Sequence, residues 1–269
     1  MPPIVVEAIV LHAFDYLESS RIVKLVTRDA GMRSALAKGA RKSVRRFGSG
    51  LDLFGQGTAH LHTKPGRDLD TLGGFEDVRS RPELGADLEK FAGAETIAEI
   101  VLRFGRDGAD VELFDAVTDA LDSLASSRPD RAREATLAGA WQIVGALGFG
   151  PSLQDCAQCG NPIAEDAMAM FTHSAGGVLC PKCAALSPGG RKLPGAARSA
   201  IAGWMSVPRA ESREPQAVLS EKDARAHQRL LREFLDYHLH DGKTLRAYDL
   251  WERASWSADG PREPARAST

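Results

Sequence analysis

Apolar and polar residues follow one rhythm over residues 1 to about 80 and another beyond them. Ile4 to His12 is apolar and β-branched, and Arg21 to Thr27 repeats that character. The turn Arg28-Asp29-Ala30-Gly31 then leads into Met32 to Lys38, a hairpin signature. After a basic loop come Gly57 to Thr63, the turn Lys64-Pro65-Gly66-Arg67-Asp68, and Leu69 to Phe75. Short strands with no long helical-period segment predict a small barrel or sandwich, and a five-stranded barrel of the OB type fits their count and length.

From Pro82 the period becomes helical. Leu84, Leu88, Phe91 and Glu95, then Ile97, Ile100, Val101 and Phe104, step by threes and fours. Val111, Phe114, Val117, Leu121 and Leu124 do the same until Ser126-Ser127-Arg128-Pro129 interrupts. A third helix is predicted from about Arg131 to Leu147, ending at Gly148, with Leu137, Trp141 and Val144 on its stripe. Helices resume over Pro194 to Met205 and again after Ser220, where Ser220-x-x-Asp223 resembles a capping box. That second helix carries His227, Leu230, Leu231, Phe234 and His238 on one stripe, and a last one spans about Thr244 to Arg253. Arg209 to Ala217 reads as a loop. The expected class is α+β: a β domain over residues 1–80, a helical domain over 81–256 with an insertion at about 153–186, and a polar, disordered tail over 257–269.

The insertion holds every cysteine in the chain: Cys156-Ala157-Gln158-Cys159 and Cys180-Pro181-Lys182-Cys183. Two residues between thiols let one tight turn aim both sulfurs at one ion, and two such knuckles make a tetrahedral site for a structural Zn²⁺. Gly160 suits a turn that needs positive φ, and Lys182 partly offsets the charge of four thiolates. Met168 to Phe171 and Gly176 to Leu179 read as a hairpin between the knuckles. The competing readings are a dithiol redox motif, which lacks a βαβ context here, and disulfides, which need an oxidising compartment. With sulfur in all four positions no place is left for a catalytic water.

Composition narrows the class only modestly. At 43% hydrophobic and 26% charged the chain is that of an ordinary soluble globular protein. No apolar run approaches a membrane span, and Met1 to Phe14 lacks the basic start of a signal peptide. The distribution of charge says more. Arg21 to Gly50 carries nine Lys/Arg against Asp29 alone, a local +8 within a chain of net −2. Such asymmetry points to a patch for an anionic partner.

Its densest part is Lys38, Arg41, Lys42, Arg45 and Arg46, followed by Phe47. A loop carrying cations off a barrel can follow a phosphate backbone, and Phe47 is a candidate to stack on a base. Neutralising four to six phosphates gives a log–log salt slope of about −3 to −4 for single strands. Arg21, Lys24 and Arg33 are weaker candidates on charge alone. The bland reading is a solvated charged loop.

Other candidates carry less. His60-x-His62 shares a strand face without a third ligand, and His238-x-His240 diverges on a helix. His173 competes only for a place the sulfurs already fill. Asp68/Asp70 and Glu76/Asp77 read as solubilising turn residues. No nucleotide loop or nucleophile elbow is present, so neither a catalytic constellation nor an ATP-driven motor emerges.

Nearly the whole chain, about Val6 to Trp251, resembles the bacterial DNA repair family RecO. The resemblance rests on Ala8-Ile9-Val10-Leu11, Asp15-Tyr16-x-Glu18-Ser19, Leu25-Val26-Thr27-Arg28-x-x-Gly31, Ala37-Lys38-Gly39-Ala40-Arg41 and Arg46-Phe47. Leu51-x-x-Phe54 and Leu69-x-Thr71-Leu72 continue it, and Cys156-x-x-Cys159-Gly160, Phe171, Gly176-Gly177 and Cys180-x-x-Cys183 look like the zinc-bearing form. Leu230-Leu231-x-x-Phe234-Leu235-x-Tyr237 and Leu245-Arg246-Ala247 resemble the closing helices, Arg246-Ala247 departing from the usual Lys/Arg-Ser run. The resemblance implies an N-terminal OB fold, a helical domain with an embedded zinc finger, and a cytoplasmic, nucleoid-associated mediator without enzymatic turnover. Such a protein binds single- and double-stranded DNA, anneals complementary strands, works with RecR, contacts the tail of single-strand-binding protein and helps RecA load. The DNA residues it carries over are Lys38, Arg41, Lys42, Arg45 and Arg46. The alternative is a zinc-ribbon interaction protein that binds RNA in translation or transcription, with an unrecognised hydrolase more distant.

Overall fold

A computed structural model of the chain describes residues 3–42, 44–47, 51–63, 66, 68–187, 189–206, 218–239 and 243–253, apart from the side chains of Val44, Arg45 and Asp77. The expected loop over Arg209 to Ala217, His240 and the tail at 257–269 lie outside them.

β1 (Ile4–Tyr16), β2 (Ser20–Thr27), β3 (Gly31–Ala37), β4 (Gln56–His62) and β5 (Asp70–Arg79) close into a barrel in the order β1-β2-β3-β5-β4. Neighbours are antiparallel except β3 and β5, which close it in parallel through Ala35↔Asp70 and Leu36↔Thr71. This is the expected OB-type barrel. β1 outruns its expected end at His12 because of a bulge: the register passes from Val10↔Leu25 to His12↔Lys24 and leaves Leu11 unpaired. One extra residue flips the alternation. Ile9 and Leu11 therefore pack against the helices, whereas His12, Phe14 and Tyr16 face solvent and Ala13 turns toward the barrel interior.

The interior is lined by small residues, Ala8, Ala35, Ala37 and Ala59, and the space they leave is filled by Leu61, Leu72, Phe75 and two plugs from the β3–β4 connection. The plugs are Phe47, at the end of the one-turn helix α1 (Val44–Phe47), and Leu51. Leu51 and Phe54 take φ of 63° and 65°, a left-handed geometry costing roughly 1 kcal/mol each. Burial of both side chains, at 1% and 2% exposure, offsets that strain.

α2 (Pro82–Ala86), α3 (Leu88–Phe104), α4 (Val111–Ser126) and α5 (Ala132–Val144) follow the predicted periodicity. The side chains of Asp87 and Asp110 accept N–H bonds from Lys90 and Leu113 at 3.0 and 2.9 Å, capping α3 and α4. α5 runs into a wider turn over Gly145–Phe149, where Gly148 at φ 86° stops it.

Next come β6 (Ala169–Thr172), β7 (Gly177–Leu179), α6 (Pro181–Leu186) and β8 (Arg191–Leu193). The expected hairpin pairs Met170↔Leu179 and Phe171↔Val178, and β8, which the sequence did not reveal, joins its other edge.

α7 (Gly195–Met205), α8 (Glu221–His238) and α9 (Arg246–Arg253) complete the bundle. Ser220 Oγ accepts from Asp223 N at 3.1 Å, the expected cap of α8. α9 starts at Arg246 rather than Thr244 because the Glu99 carboxylate on α3 accepts the N–H groups of Arg246, Ala247 and Tyr248 at 2.7, 2.9 and 3.1 Å. Trp141, Phe171 and Phe234 meet at the centre of the helical core, with ring centroids 5.3 and 6.0 Å apart around Phe234.

Barrel and bundle share one apolar cluster, to which the barrel contributes Ile9, Leu11, Val26 and Phe54. Polar contacts reinforce it: Arg28 donates to Asp115 at 2.6 Å, and Met32 N donates to Arg106 O at 2.9 Å. Gly31, at φ 69°, comes so near the α3–α4 loop that a Cβ there would lie 2.3 Å from Gly108 O. Among the described residues no helix is long and apolar enough to cross a membrane.

Candidate nucleic-acid interface and metal centre

The four cysteines converge. Their sulfurs all lie within 4.8 Å of one another, and Cys159 and Cys180 Sγ are 3.8 Å apart. That is far beyond a disulfide bond of about 2.05 Å, but it matches the roughly 3.8 Å edge of a sulfur tetrahedron about 2.3 Å from Zn²⁺. Local structure explains the convergence. Gly160, at φ 73°, donates to Cys156 O at 2.8 Å and closes the first knuckle, while Pro181 opens α6 directly after Cys180. Ala157 N donates to Val178 O at 2.8 Å, tying the first knuckle to β7 and so to the second.

The protonation of the thiols fits a cation at their centre. Burial works to raise the Cys156 pKa, but N–H groups of Cys180, Cys159 and Gln158 aimed at its sulfur bring it down to about 6. Burial and the neighbouring sulfurs push Cys183 up to about 12. The backbone thus favours thiolate, and only a positive ion lets all four sulfurs carry that charge together. His173 takes no part: its ring stacks on Tyr237 at 6.1 Å and its Nε2 lies 3.5 Å from Glu233.

The basic segment lies along the connection from β3 to β4. Lys38 and Lys42 are exposed. Arg41 is exposed too; its N–H donates to Ser19 O at 3.2 Å and its guanidinium sits 3.6 Å from Asp15, which holds the tip of the β1–β2 hairpin against this connection. Arg21 reaches the same Asp15 at 3.1 Å, so two cations share one carboxylate. Arg46 donates through Nε and Nη2 to Gly73 O at 3.2 and 2.8 Å. It forms one wall of an open cleft of about 340 Å³ that His60, His62 and Glu76 also line. Lys24 stands exposed on β2 opposite His12.

Some expectations need correction. Phe47 is fully buried in the barrel interior and offers no face to a base; the alanine lining left a hole that an aromatic ring fills. Arg33 donates to Ala30 O at 3.0 Å and lies 3.8 Å from the buried carboxylate of Asp70, so it holds β3 to β5. Asp70 is accordingly no solubilising turn residue. Its pKa is raised by burial, with Arg33 opposing. Glu76 and Asp77 likewise lie within β5, not at a turn. His60 and His62 share a strand face, and among the described residues only the four cysteines form a cluster able to hold a metal. The sequence pattern ended the first strand at His12, so the exposed rings of Phe14 and Tyr16 on the outer face of β1 fell outside it.

Two family descriptions match this chain: Recombination protein O N terminal over residues 1–81 and Recombination protein O C terminal over residues 85–246. The chain belongs to the RecO family. The DNA repair protein RecO of Anaeromyxobacter sp. (strain K) is 36% identical over 247 residues, covering 89% of this chain and 92% of that protein. The protein of the same name from Geobacter sulfurreducens is 39% identical over 188 residues, 68% and 74% of the two chains, and that of Desulfatibacillum aliphaticivorans 29% over 252 residues, 91% and 96%. The chain is therefore a member of a DNA repair family with an OB-type barrel, a helical region and a four-cysteine metal-binding cluster.

Proposed function

We propose that the protein is a recombination mediator. It binds single- and double-stranded DNA, anneals complementary strands and, with RecR, helps load RecA onto gapped DNA coated by single-strand-binding protein. The observation that carries this reading is the gathering of exposed Lys38, Arg41 and Lys42, with Arg46, on one connection of an OB-type barrel in a RecO-family chain. Arg45 belongs to the same cationic run, and residues 1–80 act as the DNA-binding unit.

Annealing in this account is electrostatic. Cations between two strands release counterions and lower the repulsion of the phosphates, and base pairing supplies the free energy. No bond is made or broken, so the protein works without turnover. The cysteine cluster holds one structural Zn²⁺ that fastens the β6–β7 hairpin to α6, and the helical region offers the binding-protein tail an apolar, cationic surface. The cytoplasm is the compartment this requires.

The test is annealing of complementary oligonucleotides with and without bound single-strand-binding protein. Acceleration in both settings is expected. Acceleration of matched RNA alone would favour a translation or transcription role instead.

A further inference from the structure

The outer face of β4 and β5 carries a cleft to which the grip on a phosphate backbone gives no role. Leu61 is fully buried, so the flanking His60 and His62 rings stand together on the outside of β4. Opposite them β5 bulges: Gly74 pairs with His60 and Leu72 with Leu61, leaving Gly73 over. The Gly73 carbonyl turns to Arg46 and accepts from its Nε and Nη2 at 3.2 and 2.8 Å. A Cβ on Gly73 would lie 3.0 Å from His62 Nε2, so a guanidinium and an imidazole converge on this one residue. At the other end Glu76 Oε1 lies 3.7 Å from His60 Nε2. The space between is about 340 Å³, within the roughly 300–1,000 Å³ of small-molecule sites.

Packing explains Gly73, which His62 crowds, but not Gly74. A Cβ on Gly74 would meet nothing nearer than Arg46 O at 3.4 Å and His60 Cδ2 at 4.0 Å. Its missing side chain weakens the strand and keeps the cleft open. Charge divides that cleft in two. Among the described residues Arg46 has no carboxylate partner, and it directs two N–H groups to a neutral carbonyl. With the His62 ring it therefore offers donors to an anion. Glu76 does the opposite: it repels anions and accepts hydroxyl groups. A phosphodiester chain laid along the cleft would set a second phosphate against Glu76, whereas a monoester with a free sugar hydroxyl satisfies both ends. Two residues along β4 separate those ends by about 7 Å, a distance that a ribose 5-phosphate spans. We propose that this cleft binds a sugar phosphomonoester, ribose 5-phosphate either free or within a nucleoside monophosphate. Arg46 and His62 hold the phosphate, and Glu76, placed by His60, accepts a sugar hydroxyl. The site goes beyond the polyanion grip and shares only Arg46 with it.

The experiment is calorimetric titration of the full chain, free of DNA, with inorganic phosphate, ribose 5-phosphate and adenosine 5′-monophosphate. Both sugar phosphates are expected to bind at least 10-fold tighter than inorganic phosphate, the increment of one charged hydrogen bond at Glu76. Equal affinities for the two would assign the sugar phosphate itself as ligand, and a tighter monophosphate the nucleotide. Gly74→Val, which fills the cleft with a good strand former, is expected to weaken both at least 10-fold with the melting temperature unchanged. Glu76→Ala is expected to bring both down to the level of inorganic phosphate. Sugar phosphates no tighter than inorganic phosphate, or undiminished binding by the valine variant, would overturn the proposal. A further titration compares 5′-phosphorylated with 5′-hydroxyl oligo(dT). A preference for the phosphorylated strand that Gly74→Val removes would make the cleft a strand-end site instead. Because the first titrations contain no DNA, their failure leaves the polyanion reading standing, and failure of oligo(dT) binding leaves the cleft standing.

Discussion

Arg81 and Asp122 join barrel to bundle: the arginine Nε donates to Asp122 Oδ1 at 2.6 Å, on a side chain only 2% exposed. The same guanidinium donates to Phe54 O at 2.6 Å and Gln56 Oε1 at 2.9 Å, so one residue anchors α4, the β3–β4 connection and β4. Burial lowers its pKa while Asp122 opposes that shift. Arg81→Ala is expected to lower stability by about 3 kcal/mol, since it strands buried acceptors as well as removing an ion pair. Urea denaturation measures this, and a loss under about 0.5 kcal/mol, the range of an ordinary surface change, would show the contact to be incidental.

Phe47 discriminates a plug from a base-stacking residue. As a plug, its change to Ala costs about 3–5 kcal/mol. A stacking residue would instead leave the melting curve in place and weaken only binding. Thermal unfolding and oligonucleotide affinity measured on one variant separate these outcomes.

Much of this fold was legible in advance, because the period change at Pro82 and the cysteine spacing are local signals. The barrel followed from strand count, and Asp223 with Ser220 marked the start of α8. What was hidden depends on contacts distant in sequence. Nothing near Arg246 announces that Glu99, far upstream, caps its helix. Arg191 to Leu193 is too short to read as a strand until β6 supplies a partner edge. The bulge at Leu11 broke the alternation, so the outward rings of Phe14 and Tyr16 fell beyond the predicted strand. For the basic segment, charge located the candidate residues, but charge alone could not separate Arg33, which is engaged by Asp70, from the exposed Lys38 and Lys42.

Cys156→Ser removes the most buried ligand of the cluster. Elemental analysis of the unaltered chain is expected to find about one zinc per molecule, with the serine variant losing most of it and melting lower. Zinc-free protein of unchanged melting temperature would reduce the cluster to a vestige.

His227 sets an acid limit on stability. Its ring lies against Trp204, with centroids 4.9 Å apart, and burial depresses its pKa to about 4, with Asp223 opposing. Folded, it stays neutral down to about pH 4, whereas the unfolded chain takes up a proton near pH 6.5. Stability should therefore fall as pH drops from about 6.5 to 4, by about 3 kcal/mol, and level off below. His227→Gln is expected to flatten that stretch of the denaturation-versus-pH curve; an identical curve would place the acid sensitivity in another group.

The central claim is that cations on the β3–β4 connection grip a phosphate backbone. Its most direct measurement is the salt dependence of oligo(dT) affinity for the unaltered chain and for the variant with Lys38, Arg41, Lys42, Arg45 and Arg46 all changed to Ala. The unaltered chain is expected to give a log–log slope of about −3 to −4, and the variant a much shallower slope with far weaker binding and an unchanged fold by circular dichroism. Equal slopes and equal affinities in the two proteins would contradict the account.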